Sequence, residues 1–558
     1  MKQNKLIKCL ALLAMMIGGA SSVWATVYTA ADGNALMNYV NGTNATLVNG
    51  DIIELTSNSE YNKRFGIPNA NITIRAAAGY SPVINTQLYW NNDVAAAGGG
   101  ITFENVKINI NNRFISIRDK DLDIETITFR NCEITNLANQ LIYGGNASKT
   151  INSIVLDKCV IHDCTSGRLI ETTHAVNSIT VTNCTIYKGA NSFFYNNTDR
   201  TSNIAFTFTN NTVYDWGTNH MFHLDKDYGS GSTYVITDNI FNWSSGIAKW
   251  IITMDGTNTP SGTITSQKNL IQGIYGKTEN DYNLSNLDIT GSSVPFASTT
   301  AGSEDFTLDM TTYPKLQSKA TAADADHAGV LGDPRWAKFT LNQTTDYTPV
   351  NANGVKVALP RSIAKDNWST IVLPFDIASD DITTIFGAGA SVAELESGDA
   401  STLTFSTTLT GSKMKANQPY AIKVASDFTS ATINGVDIKV PASTPPTQTV
   451  GDWKFVGTYA STTVPEGSYY FKSNKLYQKG ASGTTTMKPF RAYLTYTGGS
   501  PAPALNFVID GETTGIAHIN ADGQMNLEEG AVYNLNGQRV ANPTKGLYIV
   551  NGKKTIIK

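Results

Sequence analysis

Between residues 101 and 273 one short pattern returns seven times, and this repeat constrains the chain more than any other feature. The segments are ITFENVKI from Ile101, ITFRNCEI from Ile127, IVLDKCVI from Ile154 and ITVTNCTI from Ile179. FTFTNNTV from Phe206, YVITDNIF from Tyr234 and ITSQKNLI from Ile264 complete the set, with starts 26, 27, 25, 27, 28 and 30 residues apart. The first and third positions are almost all Ile, Val, Leu or Phe, the period of two expected of a strand with one face in a core. The fifth is Asn, Asp or Lys, a turn position suited to unusual backbone angles.

Units of this length that cannot bury their apolar face alone must stack on their neighbours. Stacked strands lie about 4.8 Å apart, so equivalent positions touch. The sixth position runs Val106, Cys132, Cys159, Cys184, Asn211, Asn239, Asn269, which predicts a ladder of thiols continuing into a ladder of amides. Cysteine behaves as a small buried hydrophobe, so the thiol column reads as a stack, with a single bridge as the alternative.

A second strand follows in each unit and aligns without gaps. RFISIRD starts at Arg113, QLIYGGN at Gln140, RLIETTH at Arg168, SFFYNNT at Ser192, HMFHLDK at His220 and KWIITMD at Lys249. Upstream, Ala31 to Val40 suits a short amphipathic helix closing the open end of the stack, and Gly50 to Leu55 and Asn71 to Ala76 read as its first strands. The fold class expected is all-β: a right-handed parallel β-helix over 26–336, then antiparallel β-sandwich structure.

The helix, the Gly50-Asp51-Ile52-Ile53-Glu54-Leu55 strand and the Asn71-Ile72-Thr73-Ile74-Arg75-Ala76 strand resemble the opening of pectin-lyase-like β-helix domains. Leu331-Gly332-Asp333-Pro334-Arg335-Trp336 is similar to the close of β-helix domains in exported proteins of Bacteroidetes. The resemblance implies a fold more than an activity, because lyases, hydrolases, epimerases and adhesins share it.

After Trp336 the repeat stops. Alternating segments such as Ser369 to Phe375 and Pro419 to Val424, with Gly, Ser and Thr turns between them, predict a β-sandwich module over 337–510. Asp381 to Phe386 suits one short helix. Residues 511–558 carry Tyr533-Asn534-Leu535-Asn536-Gly537-Gln538-Arg539-Val540 and Lys545-Gly546-Leu547-Tyr548-Ile549-Val550 before a Lys-rich end. They resemble the C-terminal sorting domain of type IX secretion, which implies an outer-membrane secretion machinery as partner.

Residues 1–25 have the build of a signal peptide: Lys2, Lys5 and Lys8, an apolar run from Leu10 to Ala20, and Val23-Trp24-Ala25. The run is too short to span a bilayer, no later stretch is apolar enough, and Cys9 precedes the run rather than following it. The expected location is outside the cell or on the outer-membrane surface of a Gram-negative bacterium. Only 16% of residues are charged and the formal charge is −4, so there is no basic footprint for nucleic acid. No cofactor or metal is called for: Asp225-Lys226-Asp227 is a lone carboxylate pair, Cys159 and Cys164 lack a partner pair, and no phosphate-cradling or G-x-S-x-G motif is present.

Outward residues of one sheet of a solenoid line up in rows suited to an extended polymer, here a polysaccharide. In the second-strand alignment the fourth column is Ser116, Tyr143, Glu171, Tyr195, His223, Ile252, and the first is Arg113, Gln140, Arg168, Ser192, His220, Lys249. Arg113, Tyr143, Tyr195 and Lys249 are the candidate ligand-binding residues. Arg168, Glu171, His220 and His223 are the candidate catalytic ones, with Arg168 to neutralise a uronate and His223 or Tyr195 to exchange a proton. For hydrolysis the carboxylate pair would be Glu171 and Asp225. His174 and Asp227 lie just beyond. Non-catalytic polysaccharide binding is the first reading. A polysaccharide lyase or glycoside hydrolase acting on an acidic glycan, and a surface structural or adhesion protein, are the alternatives.

Overall fold

The structure, a computed structural model, describes residues 25–557 apart from 67–68, 90–98, 119–122, 146–147, 199, 218–219, 245–249, 255–259, 268, 273–293, 295, 314–329, 473–474, 500–503, 520–524, 527–531, 536–539, 541–542 and 551–552. The leader segment up to Trp24, Lys249 and the Asn536 to Arg539 part of the C-terminal motif therefore lie outside the described residues. The chain forms two compact units, one ending near residue 285 and the other running from 295 to the C-terminus.

The first unit is a right-handed-type parallel β-solenoid of about nine turns. Three parallel sheets run along it, with ten, nine and seven strands among the described residues. The first sheet contains the seven repeat strands in the register expected of them: Ile101 opposite Ile127, then Ile154, Ile179, Phe206, Tyr234 and Ile264. Ile127, Phe129, Ile154, Leu156, Ile179 and Val181 are all fully buried in one continuous core. Each such side chain contributes roughly 1.5–3 kcal/mol by leaving water.

The N-terminal end is closed as anticipated. Helix Gly33–Val40 starts at Asp32, whose Oδ1 accepts the Ala35 N–H at 2.8 Å, and it buries Leu36 and Val40. Strand Val27–Ala30 pairs with Ile52–Leu55, which pairs in turn with Ile72–Ala76.

The turn that follows each strand of the first sheet explains the fifth position. Asn105, Asn131, Lys158, Asn183, Asn210 and Asp238 all have φ between 50° and 65°, the left-handed region that Asn and Asp tolerate best. A second column, Asn136, Asp163, Lys188 and Asp215, has the same geometry after the second sheet. The sixth position points inward. Cys132, Cys159 and Cys184 are buried free thiols, as is Cys164, so the column is a stack and not a disulfide.

In the second unit a seven-stranded and a five-stranded sheet face each other across a core that includes Leu403, Phe405, Phe507, Trp453, Phe455 and Leu494. Within these two sheets pairing is antiparallel except where Thr402–Ser406 runs parallel to Ala504–Ile509. Ala504–Ile509 turns back at Asp510 and Gly511 into Glu512–Ile519, so position 510/511 lies in a hairpin turn. Leu308–Asp309 pairs with Ala337–Thr340, which places the Gly-Asp-Pro-Arg-Trp segment inside this unit. The short helix is Ile382–Phe386. The last strands, Val532–Tyr533, Gly546–Val550 and Lys553–Ile557, form a small antiparallel sheet. Among the described residues no helix is long and apolar enough to cross a membrane.

Candidate functional site

The third sheet has the inward–outward phase that a surface site requires. Ile170 and Thr172 are buried while Glu171 between them faces out, and Tyr143 and His223 occupy the same outward phase. Glu171 stands opposite Tyr143 on one side and Tyr195 on the other, and Tyr195 stands opposite His223.

At the last coil the ungapped alignment fails. His223 stands opposite Thr253 rather than Ile252, and His220 opposite Trp250 rather than Lys249. A slip of one residue inverts every side chain, and here it places Ile252 opposite Phe222, where it is buried, instead of on the outer face. A bulge beside Tyr143 similarly sets Gly144 opposite Arg118.

Outward side chains of neighbouring coils are bonded into one strip. Arg113 Nε donates to Gln140 Oε1 at 2.7 Å, and Gln140 Nε2 donates to Glu171 Oε2 at 2.6 Å. Arg168 Nη1 donates to the other oxygen, Glu171 Oε1, at 3.0 Å. The Arg168 guanidinium lies 3.3 Å above the Tyr195 ring, whose hydroxyl donates to Asp225 Oδ2 at 2.9 Å. Burial and then this hydrogen bond to a carboxylate raise the Tyr195 pKa. His223 meets the Tyr195 ring edge-on at 5.1 Å and stacks on His220 at 4.6 Å. Thus Arg113, Tyr143, Arg168, Glu171, Tyr195, His220 and His223 gather on one face.

The arrangement has layers. The Tyr195 residue is 7% exposed, whereas the Arg168 side chain above it is 29% exposed. The tyrosine is therefore a bed and the guanidinium is the surface, an ordinary geometry for cation–π pairs. The same unit recurs with Arg113 at 3.9 Å over Tyr143 and Arg64 at 4.3 Å over Tyr89. Arg64 and Tyr89 extend the strip toward the N-terminus. Their signal in the sequence is the Arg-Phe pair at 64–65, which repeats at 113–114.

Two residues placed near the site do other work. His174 is fully buried, and burial, with the charge of Arg200, drops its pKa to about 4, so it is a neutral core group. Asp227 accepts the backbone N–H groups of Tyr228 and Ser261 and so organises a turn.

A second polar cluster lies on the second sheet, outside the first and fourth columns of the second-strand alignment. Glu133 Oε1 meets Lys107 Nζ at 2.6 Å and His162 Nε2 at 3.2 Å, while His162 Nδ1 meets Asp163 Oδ2 at 2.7 Å. The His162 ring stacks on Tyr187 at 4.9 Å. The hydrogen bond from His162, against the cost of burial and with help from Lys107, pulls Glu133 down to about 2. Burial opposes ionisation of His162, yet its bonds to Glu133 and Asp163 outweigh this and raise its pKa.

Among the described residues no group of three or more His, Cys, Asp or Glu could hold a metal ion. No family model matches the chain, and no curated protein matches it in sequence.

Proposed function

We propose that the solenoid binds an extended polysaccharide along its third sheet without cleaving it, on an exported protein displayed at or released from the cell surface. The observation that carries this reading is the continuous bonded strip from Arg113 through Gln140, Glu171 and Arg168 to Tyr195 and Asp225. A row several coils long, rigid before any ligand arrives, suits a polymer better than a small molecule, because side chains already ordered lose little entropy on binding.

The catalytic candidates serve this strip. Glu171 accepts hydrogen bonds on both carboxylate oxygens, and Arg168 is engaged with both Glu171 and Tyr195. A lyase or hydrolase needs a base or an acid that exchanges its proton with substrate, and Glu171 and Arg168 would first have to leave their present partners. The likeness of the opening strands to pectin-lyase-like domains, and of the last residues to type IX sorting domains, agrees with an exported carbohydrate-binding protein.

Incubation of the mature protein with a panel of acidic and neutral polysaccharides, followed both by binding and by the absorbance of unsaturated product, tests the proposal. Binding without turnover is the expected result. Turnover lost on Glu171→Ala or His223→Ala would replace it with the lyase reading. Silence in both readouts would leave a structural or adhesive role.

A further inference from the structure

The strip has a period of two coils rather than one. Backbone bonds count the coils: Tyr89 N–H donates to Phe65 O, Leu88 N–H to Phe114 O, Phe114 N–H to Gln140 O, and Leu141 N–H to Leu169 O. Arg64, Arg113 and Arg168, each just before Phe65, Phe114 or Leu169, therefore belong to every second coil. Tyr89, Tyr143 and Tyr195 occupy the coils between, since Tyr89 pairs with Ser116, Ser116 with Tyr143, Tyr143 with Glu171, and Glu171 with Tyr195. Each arginine leans forward by one coil onto the next tyrosine. His220 takes the corresponding place two coils after Arg168, because Phe222 follows Phe194, which follows Ile170. The intervening coils offer the uncharged Gln140 and Ser192 instead.

Cations thus recur once per two strand spacings, about 10 Å along the solenoid. That span matches an extended disaccharide, while a charge on every sugar would meet uncharged coils half of the time. Arg113 is braced by the neutral Gln140, which orients the guanidinium without spending its charge. Arg168 shares its charge with Glu171, so Arg64 and Arg113 are the stronger anion positions.

We infer that the ligand of the third sheet is an acidic polysaccharide carrying one anionic group per disaccharide, each read by the basic residue of alternate coils. This rests on the proposal that the sheet binds polysaccharide.

Hyaluronan, with one carboxylate per disaccharide, polygalacturonate, with one per sugar, and a neutral β-glucan are titrated into the mature protein by calorimetry. Hyaluronan is expected to bind about tenfold more tightly than either of the others, as two arginine contacts of modest strength would give. Affinity for hyaluronan oligomers is expected to rise with each added disaccharide and to level off near three, one for each of Arg64, Arg113 and Arg168. Arg64→Gln, at an exposed site that does not threaten folding, should weaken hyaluronan binding about threefold. Arg130→Gln, on the outer face of the first sheet, should leave it unchanged. Equal affinity for hyaluronan and polygalacturonate, or no loss with Arg64→Gln, would overturn the two-coil reading while leaving polysaccharide binding intact. Binding to none of the three would remove both.

Discussion

Asn211, Asn239 and Asn269 show how one buried column holds the solenoid coil to coil. Asn239 Oδ1 accepts the Asn211 backbone N–H at 2.9 Å, and its Nδ2 donates to Phe208 O at 2.8 Å and to Asn269 Oδ1 at 2.9 Å. The cysteines below repeat this in weaker form. The Cys132, Cys159 and Cys184 thiols donate to Phe103 O, Phe129 O and Leu156 O, each the third position of the preceding coil, just as Asn211 and Asn239 donate to Val181 O and Phe208 O. A thiol thus stands in for an amide, and Cys184 even takes the N–H of Cys159 at 3.4 Å. Removing the amide strands buried backbone groups, which costs about 1–3 kcal/mol for each orphaned group. Asn239→Ala is therefore expected to destabilise the solenoid by about 2–4 kcal/mol in denaturant titrations. Asn239→Cys, which keeps a donor and a weak acceptor, should lose clearly less. Equal losses would mean that packing volume, not hydrogen bonding, holds the column.

At the scale of strands and coils, like-on-like stacking explains what could be read before the structure. Parallel coils bring the same position of each repeat into contact, so the left-handed turns, the inward Ile and Phe columns and the thiol–amide ladder all appear as matching letters. The register of Trp250 escaped because Ile251 and Ile252, which follow it, are both apolar, and the packing of Ile252 beside Phe222 chooses between the two phases. The His162 cluster escaped for the opposite reason: Lys107, Glu133 and His162 come from three coils and share no residue type. Its pH dependence follows from the signs of its shifts. Glu133, held down to about 2 from 4.5, adds stability above pH 4.5 that is lost as pH falls toward 2. His162, whose pKa is raised above 6.5, adds stability below pH 6.5 that is lost as pH rises through its folded value. Thermal melts of the wild type and His162→Gln should therefore differ most between about pH 4.5 and 6.5 and converge on both sides. A difference independent of pH would show that His162 acts only by stacking on Tyr187.

At the scale of the whole chain, the two units keep separate accounts of buried surface. The solenoid core runs unbroken from Ala30 to Ile252, and a distinct core joins Trp368, Phe405, Trp453 and Phe507. The second unit was legible as antiparallel β-structure but not in its strand pairing, because pairs such as Thr402–Ser406 with Ala504–Ile509 join segments about a hundred residues apart with no repeat to announce them. Each coil contacts only its neighbours, so a defect in a central coil weakens the array that carries the strip. Ile154 and Phe405 are both fully buried, one in each core. Ile154→Ala is expected to cost about 2–5 kcal/mol and Phe405→Ala about 3–5 kcal/mol, each lowering a different calorimetric transition. Polysaccharide binding should then be lost with the first transition and should survive the second, because every residue of the strip lies in the solenoid. A single transition moved equally by both substitutions would mean that the units fold as one, and the strip's rigidity would then depend on both cores.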